Sequence, residues 1–361
     1  MRFTDPDRKM PTRWDGLCQR MESRQYTFER IDLNDYLALG AEDRQAYDDA
    51  RIDFIAGGIV VRIPTIDNAI KAVKVAMDQN SSSGRDDHLG VIISAPGSHG
   101  KTTACMVLLG HVYDAYKAQF GSIRSGVVPV AFISVPAVAT QKSLVMALAD
   151  FYGLPYPERI SQPQLARMVC EAIHRSHTQL IVLDELQNMA GIGPHKSESL
   201  ATLKQFSNQV AATFVYSGVG LLGTNILAGT AGAQLTRRAS LVEVTTFERS
   251  SAEGRLYWEA FIRSLGRAMP LFATSPDNLA AMSDLLYERT GGNIGSLRNL
   301  LSQTAIKVIE DGDPMHESLD ENLVHQAVLD AAAEQELEFI EWAPLPGARG
   351  RQRTLKGNAH D

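Results

Sequence analysis

Lys101 and Thr102 end the octet Ala95-Pro96-Gly97-Ser98-His99-Gly100-Lys101-Thr102, a spacing suited to holding a polyphosphate. Glycine in such a turn lets successive backbone N–H groups converge on phosphate oxygens, and the positive end of a following helix adds to the attraction. Lys101 would reach the β- and γ-phosphates and the Thr102 hydroxyl would ligate Mg²⁺. Pro96, Gly97, Ser98, His99, Gly100 and Thr103 would complete the cradle. The usual first glycine is Ala95 here, which makes entry to the loop less permissive, while Gly97 keeps its interior adaptable. About 80 residues downstream, Leu180-Ile181-Val182-Leu183-Asp184-Glu185 ends an apolar run in two carboxylates. Asp184 would hold Mg²⁺ through its water shell, and Glu185 would polarise the water that attacks the γ-phosphate. The pair of motifs points to ATP hydrolysis.

Three further features fit the same chemistry. Thr213-Phe214-Val215-Tyr216-Ser217 is an apolar run closed by a hydroxyl, so Ser217 could orient the attacking water. Arg237 and Arg238 precede the run Leu241-Val242-Glu243-Val244, where an arginine finger could reach a neighbouring subunit's γ-phosphate. Arg298, on a helix opened by Gly291-Gly292-Asn293, could close over the nucleotide. No HExxH or HxH pattern and no CxxC occurs, and His174 and His177 fit a helix surface better than a metal pair.

The positioning elements follow from periodicity. Strand-length apolar runs at 89–94, 127–135, 179–184, 213–217 and 241–245 alternate with amphipathic, helix-length stretches, as in a parallel α/β sheet. A four-residue apolar run such as 180–183 suits a strand buried on both faces, with its carboxylates at the carboxyl edge where such sheets bind ligands. Helices are expected at 42–56 and from Pro64, with Ile66, Ile70, Val73 and Met77 on one face. After Phe247 the pattern turns helical: 251–265, 276–290 and 294–310. A last helix, 318–341, would be entered by a capping box of Ser318 and Glu321. Trp258 and Phe261, at i and i+3, belong to the core of that helical domain. The domain boundaries expected are an N-terminal arm at 1–44, loosely ordered over 1–30, an α/β core at 45–248, a helical lid at 249–341 and a basic flexible tail at 342–361.

The 361 residues are 44% hydrophobic and 21% charged, which excludes wholesale disorder. The net charge of −7 argues against a uniformly basic, nucleic-acid-coating protein, though not against a local basic face. Three scattered cysteines make a disulfide framework unlikely to be the scaffold. With no apolar run near the roughly 18 residues of a membrane helix and no signal-like N-terminus, a soluble, cytoplasmic protein is expected.

Together the P-loop, the apolar run into Asp-Glu, the arginines before the last strand and the arginine-bearing helical lid resemble an AAA+ ATPase over about residues 45–335. Within that superfamily the chain is similar to the TniB and TnsC transposition regulators, related to IstB. RIDFIAGGIVVRIPTIDNAI, LIVLDELQNM, FVYSGVGLLG and TGGNIGSLRNLLSQTAIKVI carry the likeness. The resemblance implies ATP-dependent oligomers on double-stranded DNA, without sequence preference, that pass target sites to a partner transposase. It assigns Lys101, Thr102, Asp184 and Glu185 the roles above, and the spacing from Gln234 favours Arg238 over Arg237 as the finger. DNA contacts would come from the N-terminal arm, Lys71, Lys74, Lys142 and Lys204, with the tail left for a partner. The alternative is a nucleotide-dependent switch that binds protein partners, such as a defence- or secretion-associated ATPase, and does not act on DNA. The acidic balance suits that alternative.

Overall fold

Apolar side chains on both faces of most strands force the sheet to the centre of the larger domain. β1 (Gly90–Ala95), β2 (Val130–Ser134), β3 (Leu180–Asp184), β4 (Thr213–Val219) and β5 (Ala239–Glu243) are all parallel, in the order β2-β3-β4-β1-β5. β1 and β3 are buried at every position, whereas β5, at the edge, exposes Ser240, Leu241 and Glu243. The structure, a computed structural model, describes residues 9, 12–24, 27–82, 88–95, 100–137, 139–189, 203, 206–221, 227, 229–245, 247 and 249–328.

The first of the helices that precede the sheet are α1 (Trp14–Ser23), α2 (Leu33–Ala38) and α3 (Ala41–Gly57). Within the span 1–30, where a loosely ordered arm is expected, the described residues form helix α1. α1 buries Leu17 and Met21 in the main core, worth about 1.5–3 kcal/mol each, which weak periodicity in a charged segment concealed. Its outer side is tied to the P-loop helix by Glu22 with Lys117 and Arg24 with Asp114. α4 (Pro64–Asn80) follows, then α5 (Lys101–Phe120) between β1 and β2. Residues of α5 such as Cys105, Leu108, Leu109 and Val112 are buried around most of its circumference, because sheet, α4 and α1 all cover it. α6 (Gln141–Phe151) and α7 (Gln162–Arg175) lie between β2 and β3, each entered by a capping box, from Thr140 and Ser161. α8 (Gly229–Thr236) leads into β5.

A second core belongs to the helical domain, formed by α9 (Ala252–Ala268), α10 (Pro276–Ala281), α11 (Ser283–Thr290), α12 (Ile294–Glu310) and α13 (Glu321–Gln326). Trp258 and Phe261 are in it, as expected. The single helix expected at 276–290 is two, because Met282 leaves helical dihedrals (φ −88°, ψ 9°) and turns into the core. Its neighbour Ser283 gives its carbonyl to the Trp258 indole N–H at 2.8 Å. The last helix starts at Glu321 rather than Ser318, capped by Asp320, whose carboxylate accepts from Leu323 N at 2.8 Å. Residues 317–319 are instead not helical, and Glu317 and Leu319 are drawn inward. The described helix ends at Gln326, and the remainder expected to 341, with the tail, lies outside the described residues.

α3 packs on this second core through Ile52 and Ile55, not on the sheet. Arg51, 1% exposed, makes a two-pronged pair with Glu317 at 2.6 and 2.9 Å and bonds Asp48, under the rings of Tyr36, Tyr47 and Phe272. Residue 45, the expected start of the α/β core, thus lies on an element that packs with the lid.

Candidate functional site

The sheet presents its carboxyl edge where β1 and β3 end side by side with β4 between them. Ala95 is the last β1 residue, 2% exposed and paired with Val219. An extended backbone accepts a Cβ freely, so the missing glycine carries no conformational penalty there. Pro96, Gly97, Ser98 and His99 lie outside the described residues. Gly100 re-enters in the left-handed region (φ 85°), a conformation only glycine adopts cheaply, and aims the first turn of α5.

That turn sets two side chains against the end of β3. The Thr102 hydroxyl donates to Asp184 Oδ2 at 2.9 Å, and Asp184 is 3% exposed. Hydroxyl and carboxylate oxygens side by side are the donors a divalent cation takes. Lys101, 6% exposed, places Nζ 3.7 Å from Glu185 Oε1. Glu185 follows the strand in the left-handed region (φ 60°), a position costing about 1–3 kcal/mol in a residue with a Cβ. The strained turn lifts its carboxylate off the strand line towards Lys101. Thr103 and Gly100 line, with Thr102, a cavity of about 930 Å³ that runs to Gly58, Ile59 and Arg298. Arg298 lies across Gly58 so closely that a Cβ there would meet the guanidinium at 2.6 Å. The cavity therefore joins the start of α5 to Arg298, while the β3 carboxylates meet the same helix turn through Thr102 and Lys101 without lining the cavity.

Other expected residues stand elsewhere. Ser217 does not close its strand, since β4 continues to Val219; it is fully buried beside the Cys105 thiol, one helical turn beyond Lys101. That placement corrects its expected position, because a hydroxyl under α5 faces protein and not the cavity. Burial, with Asp184 nearby, pushes the Cys105 thiol up to about 12, so it stays protonated. Arg237 and Arg238 sit at the opposite edge of the sheet, where Gly90 N donates to Arg238 O at 2.9 Å. The length of β1, roughly 16 Å, separates them from the start of α5 in the same chain. Arg237 is exposed and Arg238 half-buried. Among the described residues no group of three or more His, Cys, Asp or Glu side chains is placed to hold a metal ion. No described helix is long and apolar enough to cross a membrane. Lys71 and Lys74 lie on α4, over β1, β4 and β5, while Lys142 lies on α6 beside β2, at the other side of the sheet. Lys204 lies outside the described residues.

Sequence inspection passed over Gln187. Its amide donates to Glu185 Oε2 and accepts from Val219 N at 2.9 Å, bridging β3 to the end of β4. The signal was its place two residues after Glu185, on a short 3-10 turn, Leu186–Met189. Asn188, next to it, donates to Val135 O at 2.9 Å on the β2 side.

A family model described as "Bacterial TniB protein" matches residues 51–249, more than half of the chain. The chain belongs to the TniB family. No curated protein matches it. Among solved structures, this TniB chain is similar to the Aeropyrum pernix ORC2 protein in its ADPNP–ADP complexes. Identity is 14%, with 85% of this chain and 70% of that one covered and a TM-score of 0.54. It is also similar to the Aeropyrum pernix ORC1 protein in complex with DNA, at 17% identity, 79% and 68% coverage and a TM-score of 0.51. Cdc6p from Pyrobaculum aerophilum matches at 14% identity, 71% and 65% coverage and a TM-score of 0.50. At such identities the likeness is one of fold: an AAA+ P-loop sheet followed by a helical domain, as the TniB strand order and lid display.

Proposed function

We propose that this TniB protein binds and hydrolyses ATP with Mg²⁺, oligomerises on double-stranded DNA, and directs a partner transposase to target DNA. The observation that carries the reading is the pairing of Thr102 with Asp184 and of Lys101 with Glu185 at the carboxyl edge of the sheet. A buried lysine beside a carboxylate is a phosphate site with its counter-charge supplied internally; an incoming phosphate would take that partner's place. Lys101 then holds the β/γ-phosphates, and the backbone N–H groups of Gly100 and Thr103 at the start of α5 face them. Thr102 and Asp184 hold Mg²⁺, which neutralises phosphate charge when bound. Glu185, freed from Lys101, accepts the proton of the attacking water. Arg298 closes the cavity from the lid.

Arg237 and Arg238 take the trans role, because they sit at the amino edge of the sheet, away from their own chain's site. Family membership supports the DNA and transposase part of the proposal. With a net charge of −7, contact with DNA rests on a few basic residues rather than on overall charge. The test is light scattering or electron microscopy with ATP, with and without duplex DNA. DNA should promote ATP-dependent oligomers, and the effect should fade between about 50 and 200 mM salt. A protein that stays monomeric with both overturns the DNA-bound reading and leaves the protein-partner switch.

A further inference from the structure

We infer that Gln187 is a positioning residue that sets the working geometry of Glu185. The inference rests on Glu185 being the base that activates water. Glu185 sits on a left-handed backbone position and is 36% exposed, so little packing fixes its carboxylate. Two groups hold it: Lys101 at 3.7 Å on Oε1, and the Gln187 amide on Oε2. The first contact is a loose ion pair made with the same ammonium that must bind phosphate. When Lys101 turns to phosphate, the Gln187 amide remains as the tether.

That tether is itself anchored. Gln187 Oε1 accepts from Val219 N at 2.9 Å, so the amide can present only its NH₂ group to Glu185. The neighbouring strand leaves room for it: a Cβ on Gly218 would meet Gln187 Oε1 at 2.6 Å. The same Cβ would also meet the buried Leu221 side chain at 2.7 Å, so glycine at 218, which carries no positive φ, makes room for both neighbours. The arrangement runs from Glu185 through one side chain to the last β4 residue, and from there the chain leads to α8, Arg237 and Arg238. Gln187 touches neither phosphate nor cation and acts only through Glu185.

Gln187→Met keeps length and bulk while deleting both hydrogen bonds, and Gly218→Ala presses on the unaltered amide and on Leu221 beside it. Both should lower kcat for ATP by about 10- to 100-fold, the scale of a misplaced catalytic group, with KM, ATP affinity by calorimetry and Tm within about twofold or a few degrees of wild type. In the Glu185→Gln background, Gln187→Met should cause no further loss, because its effect passes through that carboxylate. Independently of turnover, the Val219 amide, deprived of its acceptor, should exchange hydrogen at least about tenfold faster in Gln187→Met, read by mass spectrometry on nucleotide-free protein. Wild-type kcat in both Gln187→Met and Gly218→Ala, with Glu185→Gln inactive, overturns the inference alone. An equal further loss in the Glu185→Gln background overturns it too, as does an unchanged Val219 amide. Wild-type turnover in Glu185→Gln itself overturns the base assignment, and this inference with it.

Discussion

Lys101 carries a buried positive charge paired with Glu185, and its neighbour Thr102 is committed to Asp184. Each of these four side chains is useful only in the company of the others. Lys101→Ala should therefore do more than remove one phosphate contact: it leaves Glu185 facing the incoming phosphates uncompensated. ATP affinity should fall by two orders of magnitude or more, about 2.7 kcal/mol, as read by calorimetry. Unchanged affinity would mean that the phosphates bind elsewhere. Glu185→Gln preserves shape and relieves that repulsion, so ATP should bind at least as well as in wild type. Turnover should drop by roughly 10²-fold or more, the usual loss when a general base is removed. Phosphate release measured at saturating ATP decides it.

At the scale of elements, the Arg51–Glu317 pair joins α3 to the far end of the lid, across 266 residues of sequence. Burial works against the Arg51 charge, but the Glu317 and Asp48 hydrogen bonds more than offset it and hold its pKa above the ordinary arginine value. Such a pair is strongly destabilising to break from one side, because a buried charge is left behind. Glu317→Ala should cost about 3 kcal/mol in urea denaturation, and Glu317→Ala with Arg51→Leu should recover much of the loss. If the single substitution is silent, the pair does not hold α3 to the lid. The same link has a functional side. α3 ends at Gly57, and Gly58 (φ 92°) turns the chain directly beneath Arg298. The chain segment that lines the cavity at Gly58 and the arginine lying across it thus both extend from helices packed in the lid's core.

For the whole molecule, the sheet separates two halves of one chemistry. Lys101 and Glu185 stand at its carboxyl edge and Arg237 and Arg238 at its amino edge. One chain cannot bring them together, but a head-to-tail neighbour can, which makes a ring or filament the expected assembly. Mixing is the decisive measurement. A double Arg237→Ala, Arg238→Ala protein and a Lys101→Ala protein should each hydrolyse ATP poorly. Mixed, they should regain a substantial fraction of turnover per active site, since one supplies the finger and the other the P-loop. No recovery on mixing, with both variants folded, would count against a trans finger. The exposed position of Arg237 and the half-buried one of Arg238 make separate single substitutions informative, and loss confined to Arg237→Ala would correct the spacing argument that favours Arg238.

Local pattern was enough for the parts of this protein whose physics is local. A run such as Leu180–Leu183 can only be comfortable as a strand covered on both sides, so the sheet strands and the two carboxylates at one strand's end were legible. So was the P-loop, because a glycine-rich strand–helix turn ending in Lys-Thr serves few other ends. Strand order, by contrast, is a matter of which buried faces pair, and residues 80 positions apart had to meet before Thr102 could bond Asp184. Helix α1 shows the limit from the other side: two apolar residues in a charged segment become core only once α5 is there to receive them. Glu317 read as one of many acidic residues until Arg51 neutralised it inside the lid. Ser217 read as a strand end until β4 ran two residues further. Gln187 carried no signal by itself, because an amide's role is set by what it bridges, and Glu185 and Val219 become neighbours only when β3 and β4 lie side by side.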